Sequence, residues 1–177
     1  LLVLSGCGGE TVPPGPEESD APPAENTEVL PPEVSPLSAE ESLLQEMTLE
    51  EKVGQLFFPR VPEQNALEDV SAFHLGGYIL FGRDTQEKTA NDLIQTIAAW
   101  QAAAEIPLLI GVDEEGGTVV RLSSNPRLRS KKFPGPKKLW EQGVDVTAAD
   151  THEKDLLLRA LGFNVNLAPV ADVSMNP

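Results

Sequence analysis

Between Pro107 and Leu122 the chain reads PLLIGVDEEGGTVVRL, and this stretch holds the residues best suited to chemistry. Three acids in a row, Asp113, Glu114 and Glu115, are followed by Gly116-Gly117 and then, eight residues after Asp113, by Arg121. They come directly after Leu108–Val112, an apolar run with the length and branching of a strand buried on both faces. Carboxylates at the carboxyl end of a buried strand are costly unless they face a polar cavity or bind something. In parallel α/β sheets and barrels that end of the strand is where ligands sit. Arg121 supplies a cation able to fold back over the same mouth. The plainer alternative is three acids capping a solvated loop, and the order D-x-E-G-G-x-x-x-R after such a strand weighs against it.

The flanking elements must position those residues. Gly76–Phe81 reads as a strand, running out into a polar turn at Gly82-Arg83-Asp84. Thr85–Ala104 reads as a long helix with Ala90, Leu93, Ile94, Ile97, Ala98 and Ala102 on its apolar face, stopped by Pro107. Strand, helix, strand within about forty residues is a βαβ unit, so a parallel sheet is expected. Upstream, Ser38 with Glu41 and Thr48 with Glu51 form two capping-box patterns. The first opens a helix carrying Leu43, Leu44 and Met47; the second opens one carrying Leu49, Val53 and Leu56. Phe57-Phe58, running into Pro59, is a candidate first strand, and residues 64–74 form an amphipathic helix through Leu67, Val70 and Phe73.

Downstream, Ser123–Gly143 loses periodicity. Arg127, Arg129, Lys131, Lys132, Lys137 and Lys138 crowd this loop, interrupted by prolines. A basic patch for an anionic glycan or lipid headgroup and a solvated loop around the barrel mouth both fit, and the loop is the preferred reading. Helix returns over Thr147–Leu161, with Leu156, Leu157, Ala160 and Leu161 inward and Gly162 as its stop. His152 on that helix and His74 before the second strand are read as structural or exposed. In the last strand, Phe163–Val173, side chains alternate. Asn164, Asn166 and Asp172 then face a lumen, with Asp172 at the same rim as Asp113.

The front of the chain has a different character. Leu4-Ser5-Gly6-Cys7 resembles the lipobox of bacterial lipoproteins, whose cysteine is acylated, so Cys7 is the expected lipidation site and the parent an exported protein anchored outward on the membrane. With one cysteine no internal disulfide forms. Residues 8–37 hold eight of the sixteen prolines, seven acids and no Lys or Arg, the composition of a disordered tether. The net charge of −15 lies mostly in the tether and the first helix together: residues 1–51 carry −12 and the rest only −3. That near-neutral remainder disfavours nucleic acid as a partner. No apolar stretch is long enough to span a bilayer, so the lipid is the sole expected membrane contact. Nor does any His or Cys spacing announce a metal site.

Four segments together resemble the N-terminal domain of glycoside hydrolase family 3, in its β-N-acetylhexosaminidase branch. They are MTLEEKVGQLF at 47–57, GGYILFGRD at 76–84, GVDEEGGTVVRL at 111–122 and RALGFNVNLAPVADVSMNP at 159–177, in family order and spacing. The resemblance covers roughly residues 43–177 and implies a TIM-type (β/α)8 barrel, of which 38–177 is the first half, since a whole barrel needs about 250 residues. It implies that Asp113 accepts hydrogen bonds from hydroxyls of a non-reducing terminal sugar and that Arg121 is a second contact to it. A carboxylate and a rigid guanidinium fork suit that work, and the glycines let backbone approach a ligand. Thr118 stands where the branch commonly has arginine, a departure that touches fine specificity. The resemblance further implies a cofactor-free retaining glycosidase acting on N-acetylglucosamine, with peptidoglycan fragments as substrate. Its nucleophilic aspartate and acid/base dyad belong after residue 177, so this fragment is expected to be inactive alone. A β-glucosidase on the same barrel and a lipid-anchored sugar-binding protein are the alternatives.

Overall fold

The computed structural model describes residues 37–170. Cys7, most of the tether and Asp172 lie outside the described residues. In chain order the elements are α1 (Ala39–Glu46), α2 (Leu49–Gln55), α3 (Ala66–Ala72), β1 (Gly77–Leu80), α4 (Gly82–Thr85) and α5 (Ala90–Ala103). They continue with β2 (Leu109–Val112), α6 (Pro136–Trp140), α7 (Val144–Ala160) and β3 (Val165–Asn166). The strands form one parallel sheet in the order β1-β2-β3, with Gly77 opposite Leu109, Leu80 opposite Val112, and Val112 opposite Asn166. α5 makes the crossover between β1 and β2, so the expected βαβ unit is present.

The candidate first strand is reduced and shifted. Phe57-Phe58 are not part of a ladder; beyond Pro59, Arg60 forms a single parallel bridge with Ile79. The Ile79 amide donates to Pro59 O at 2.8 Å and the Val61 amide to Ile79 O at 3.1 Å. Proline has no amide to give, which limits that ladder at its start. Four consecutive segments therefore run parallel, in the manner of a barrel's first half.

Both capping boxes form as the sequence indicates, Ser38 with Glu41 and Thr48 with Glu51. A third box, Thr89 with Asp92, opens α5 at Ala90, five residues later than expected. Thr85 belongs instead to α4, where its buried hydroxyl donates to Arg121 O at 2.6 Å. The polar turn at Gly82-Arg83-Asp84 is thus a short helix, with Asp84 Oδ2 accepting from the Phe81 amide at 2.7 Å.

The core lies between the sheet and α3, α5 and α7. Tyr78, Leu80, Ile110 and Val112 fill it from the strands, and Leu93, Ile97, Trp100, Leu158 and Leu161 from the helices. Tyr78 and Trp100 meet edge to face at 5.2 Å between ring centroids. Several expected apolar faces are placed differently. Leu67 and Phe73 are exposed, and α3 is seated by buried Val70 and partly buried Ala66. Leu43, Leu44, Leu49, Val53 and Leu56 are exposed as well. Leu109 is 49% exposed, so β2 is not covered on both faces at its start.

α7 begins at Val144, three residues before Thr147, and turns Lys154, Leu158 and Leu161 inward while Leu156 is exposed. Three leucines in a row at 156–158 leave helical phase undetermined, and the spacing from Lys154 to Leu158 and Leu161 sets it. In the basic loop, Arg129 holds Glu153 Oε1 at 2.8 Å and stacks 3.9 Å from the Phe133 ring, while Arg127 donates to Glu87 O at 2.9 Å. Two of its six cations thereby tie the loop down. Asn164 and Asn166 do not project freely into a lumen. Their amides are spent on β2: Asn164 Oδ1 accepts from Ile110 N at 2.7 Å, and Asn166 Oδ1 from Glu114 N at 3.1 Å.

Candidate functional site

β2 carries Asp113 out at its carboxyl end, and the chain returns through residues 119–123 to bring Arg121 back over it. The two side chains form a bidentate pair, Nε to Oδ1 at 2.7 Å and Nη2 to Oδ2 at 2.5 Å. The expected association of the two residues is therefore observed. The Arg121 side chain is 25% and that of Asp113 22% exposed, buried enough to be held and open enough to be reached. The hydrogen bonds it donates to Asp113 hold the Arg121 guanidinium protonated even more firmly than usual, with burial opposing. The guanidinium also lies 5.4 Å from the Phe81 ring centroid, at the carboxyl end of β1.

Glu114 plays a part that the sequence conceals. It is fully buried, and its carboxylate accepts from the amides of Arg121 and Leu122, both at 2.7 Å, from the Ser123 amide at 3.2 Å and from the Ser123 hydroxyl. A buried carboxylate is tolerated when donors satisfy it in this way. Those donors are the returning segment itself, so Glu114 locks the backbone that presents Arg121. Thr85 reinforces the lock at Arg121 O, and Asn125 donates its side-chain amide to Thr85 O at 2.8 Å and Lys88 O at 2.7 Å.

The paired glycines serve this return rather than open space for a ligand. At Gly116, with φ of +100°, a Cβ would stand 2.0 Å from Pro134 O, and the Gly117 amide donates to Phe133 O at 2.8 Å. The close approach is to the chain's own 133–135 loop. Glu115 contributes its carbonyl, which accepts from Lys154 Nζ at 3.2 Å; that buried ammonium also lies 2.7 Å from Asp150 Oδ2. Sequence reading overlooked Lys154, Asn125 and Thr85 alike, because each acts on main-chain carbonyls that come near only on folding.

Chemically, the pair can grip a polyhydroxylated molecule. Each Asp113 oxygen retains a lone pair for a hydroxyl beyond its bond to Arg121, and Nη1 of the guanidinium remains to donate. Parallel strands, crossing helices and a charged pair at the carboxyl-end rim define a barrel-type α/β scaffold.

Within that class the chain belongs to glycoside hydrolase family 3: residues 48–177 match the glycosyl hydrolase family 3 N terminal domain. Beta-hexosaminidase A of Pseudoalteromonas piscicida is 34% identical over 128 residues, 66% of this chain and 20% of that protein. Beta-hexosaminidase LpqI of Mycobacterium tuberculosis is 32% identical over 129 residues, 72% of this chain and 32% of that protein. A beta-N-acetylglucosaminidase/beta-glucosidase of Cellulomonas fimi is 29% identical over 143 residues, 75% of this chain and 22% of its own length. Among solved structures, a family 3 beta-N-acetylglucosaminidase from Paenibacillus sp. str. FPU-7 superposes with a TM-score of 0.60 at 32% identity, over 70% of this chain and 24% of that one. A family 3 member from Mycobacterium smegmatis gives 0.65 at 28% identity, over 76% and 39%. The chain thus spans a fifth to a third of the length of these curated relatives.

Proposed function

We propose that this chain is the sugar-holding part of a retaining, exo-acting glycosidase that removes terminal β-linked N-acetylglucosamine, with peptidoglycan-derived fragments as its substrate. The observation that carries this reading is the half-buried Asp113–Arg121 fork at the carboxyl-end rim of β2. Asp113 accepts from sugar hydroxyls and Arg121 both aligns that carboxylate and donates beside it. Further support comes from relatives that are themselves beta-hexosaminidases or beta-N-acetylglucosaminidases. In retaining hydrolysis one carboxylate attacks the anomeric carbon to form a glycosyl-enzyme while a second group protonates the leaving oxygen, and water then releases the sugar. Those groups belong to the length of the relatives that this chain does not span, so residues 1–177 alone turn over nothing. The chemistry requires no metal or organic cofactor. Cys7 carries a lipid that holds the enzyme on the outer side of the cell membrane, where such fragments arise.

The test is an aryl β-N-acetylglucosaminide assayed with the protein from its whole reading frame. Asp113→Ala lowers kcat/KM at least about tenfold, roughly 1.4 kcal/mol of transition-state binding. Wild-type activity in that variant would remove Asp113 from the site. The Cellulomonas fimi relative, active on both sugar types by its name, favours a second reading in which glucosides are also cleaved. Comparable kcat/KM on the aryl β-glucoside would establish it, and tight sugar binding without turnover would point to a binding protein.

A further inference from the structure

A second group of chemically capable side chains gathers at the opposite end of the sheet. His74 lies just before β1 and Glu105 just before β2, at the strands' amino ends, whereas Asp113 follows β2. Glu51, from α2, joins them. One ligand atom from each of Glu51, His74 and Glu105 lies within 4.8 Å of the others. In sequence these residues stand 23 and 31 positions apart, so no spacing motif marks them.

The three share a cavity of about 230 Å³ with Glu46 and Met47, and its wall contains three carboxylates and an imidazole but no Lys or Arg. Their positions are held from behind. Glu51 uses Oε2 to accept from the Thr48 amide at 2.6 Å and hydroxyl at 2.8 Å, which fixes the carboxylate and, among the described residues, leaves Oε1 uncommitted. Gln55 donates to His74 O at 2.9 Å, anchoring the turn from which the ring projects. Among the described residues neither the His74 ring nor the Glu105 carboxylate takes a hydrogen bond or ion pair.

We propose that Glu51, His74 and Glu105 form a zinc site that clamps α2 to the turns entering β1 and β2. Imidazole with carboxylates is a donor set for Zn²⁺, whereas Mg²⁺ and Ca²⁺ seek shells of oxygen ligands. Zinc bonds of about 2.0–2.1 Å place tetrahedral donors roughly 3.4 Å apart. Rotation of the exposed Glu105 side chain toward the fixed Glu51 carboxylate closes the remaining gap, and water or Glu46 completes the fourth position. Because the site is three loops and helix ends apart in the chain, metal binds the folded state and raises its stability.

Chelator-treated protein, expressed from its whole reading frame, is titrated with zinc by calorimetry and followed by thermal unfolding. A single zinc ion binds per chain and raises Tm, while magnesium and calcium leave Tm unchanged. His74→Asn, chosen because asparagine tolerates the positive φ at this position, weakens zinc binding at least about tenfold. Glu105→Gln, at an exposed position that should not disturb folding, does the same. His152→Ala removes the other histidine of residues 1–177 and keeps wild-type affinity. No zinc-dependent rise in Tm, or wild-type zinc affinity in both cluster variants, would overturn the proposal; loss of binding in His152→Ala would relocate the metal and overturn it too.

Discussion

The carboxyl-end rim around Asp113 and the outer surface of α2 and α3 are built on opposite terms. At the rim, polar groups are buried and matched one to another: Glu114 with three amides and a hydroxyl, Asp113 with Arg121, Asn125 with two carbonyls. On α2 and α3, large apolar side chains lie open, with Leu49 at 76%, Leu56 at 83% and Phe73 at 61% exposure. The Thr48–Glu51 capping box of α2, the Gly54 and Gln55 contacts to the His74 turn, and buried Val70 hold these helices instead. The difference teaches where geometry is determined. A carboxylate locked on backbone amides admits one arrangement, whereas an exposed apolar face specifies almost nothing about its surroundings.

The sharpest way to break this contrast is Glu114→Ala. It strips four donors of their acceptor in a buried place, and bonds to charged groups are worth about 1.5–3 kcal/mol each but are not additive. We expect a loss of about 3–5 kcal/mol in urea or thermal unfolding and, under the proposed function, a fall in sugar affinity because Arg121 is no longer presented. A loss below about 1 kcal/mol, within the range of an ordinary surface change, would mean that the strap is held by something other than Glu114.

That Glu114 matters so much was not legible in the sequence, although Asp113 beside it was. Asp113 and Arg121 could be paired on paper because the spacing of eight belongs to a recognisable segment. Glu114 looks identical as a letter, and its partners are main-chain amides that exist as a cradle only after residues 119–123 turn back. The first two capping boxes were legible because each closes within three residues, whereas the third, at Thr89, was passed over for a helix starting at Thr85. The inward face of α7 was not, since three adjacent leucines fit several helical phases and the deciding residue, Lys154, is one that usually stays outside. The strands announced themselves by apolar β-formers, but their depth of cover did not. The exposure of Leu109 depends on what lies across the sheet, and that information is not local.

An intermediate effect is expected at Tyr78, which links the two regimes. Its ring is in the core and its hydroxyl donates to Ala66 O at 2.9 Å, fastening α3 to the sheet. Tyr78→Phe costs about 1 kcal/mol, the worth of one such bond. Burial first, and then the charge of Asp69, push the phenol from its usual 10 up to about 12. The folded state therefore holds this proton more tightly than the unfolded chain. Its contribution is complete below pH 10 and declines as pH rises toward about 12. Since Tyr78 is the chain's only tyrosine, tyrosinate absorbance reports it without interference. Titration near the ordinary phenol range in folded protein would show that the hydroxyl is not buried.

The smallest effect belongs to the open face, and it tests the other half of the contrast. Leu56 sits at the carboxyl end of α2 with most of its side chain in solvent, so Leu56→Ser removes little buried apolar area. Surface changes of this kind usually fall within about ±0.5 kcal/mol, and urea unfolding of the 177-residue chain should show no more. Thr48→Ala, at the other end of the same helix, is the internal reference. It deletes the acceptor for the Glu51 amide and should cost about 1 kcal/mol. If the cap outweighs the leucine, α2 is held by its hydrogen bonds and its apolar face is unemployed in this chain. If the leucine outweighs the cap, that face is covered, and the distinction between a rim fixed by polar matching and a surface left open fails at its second term.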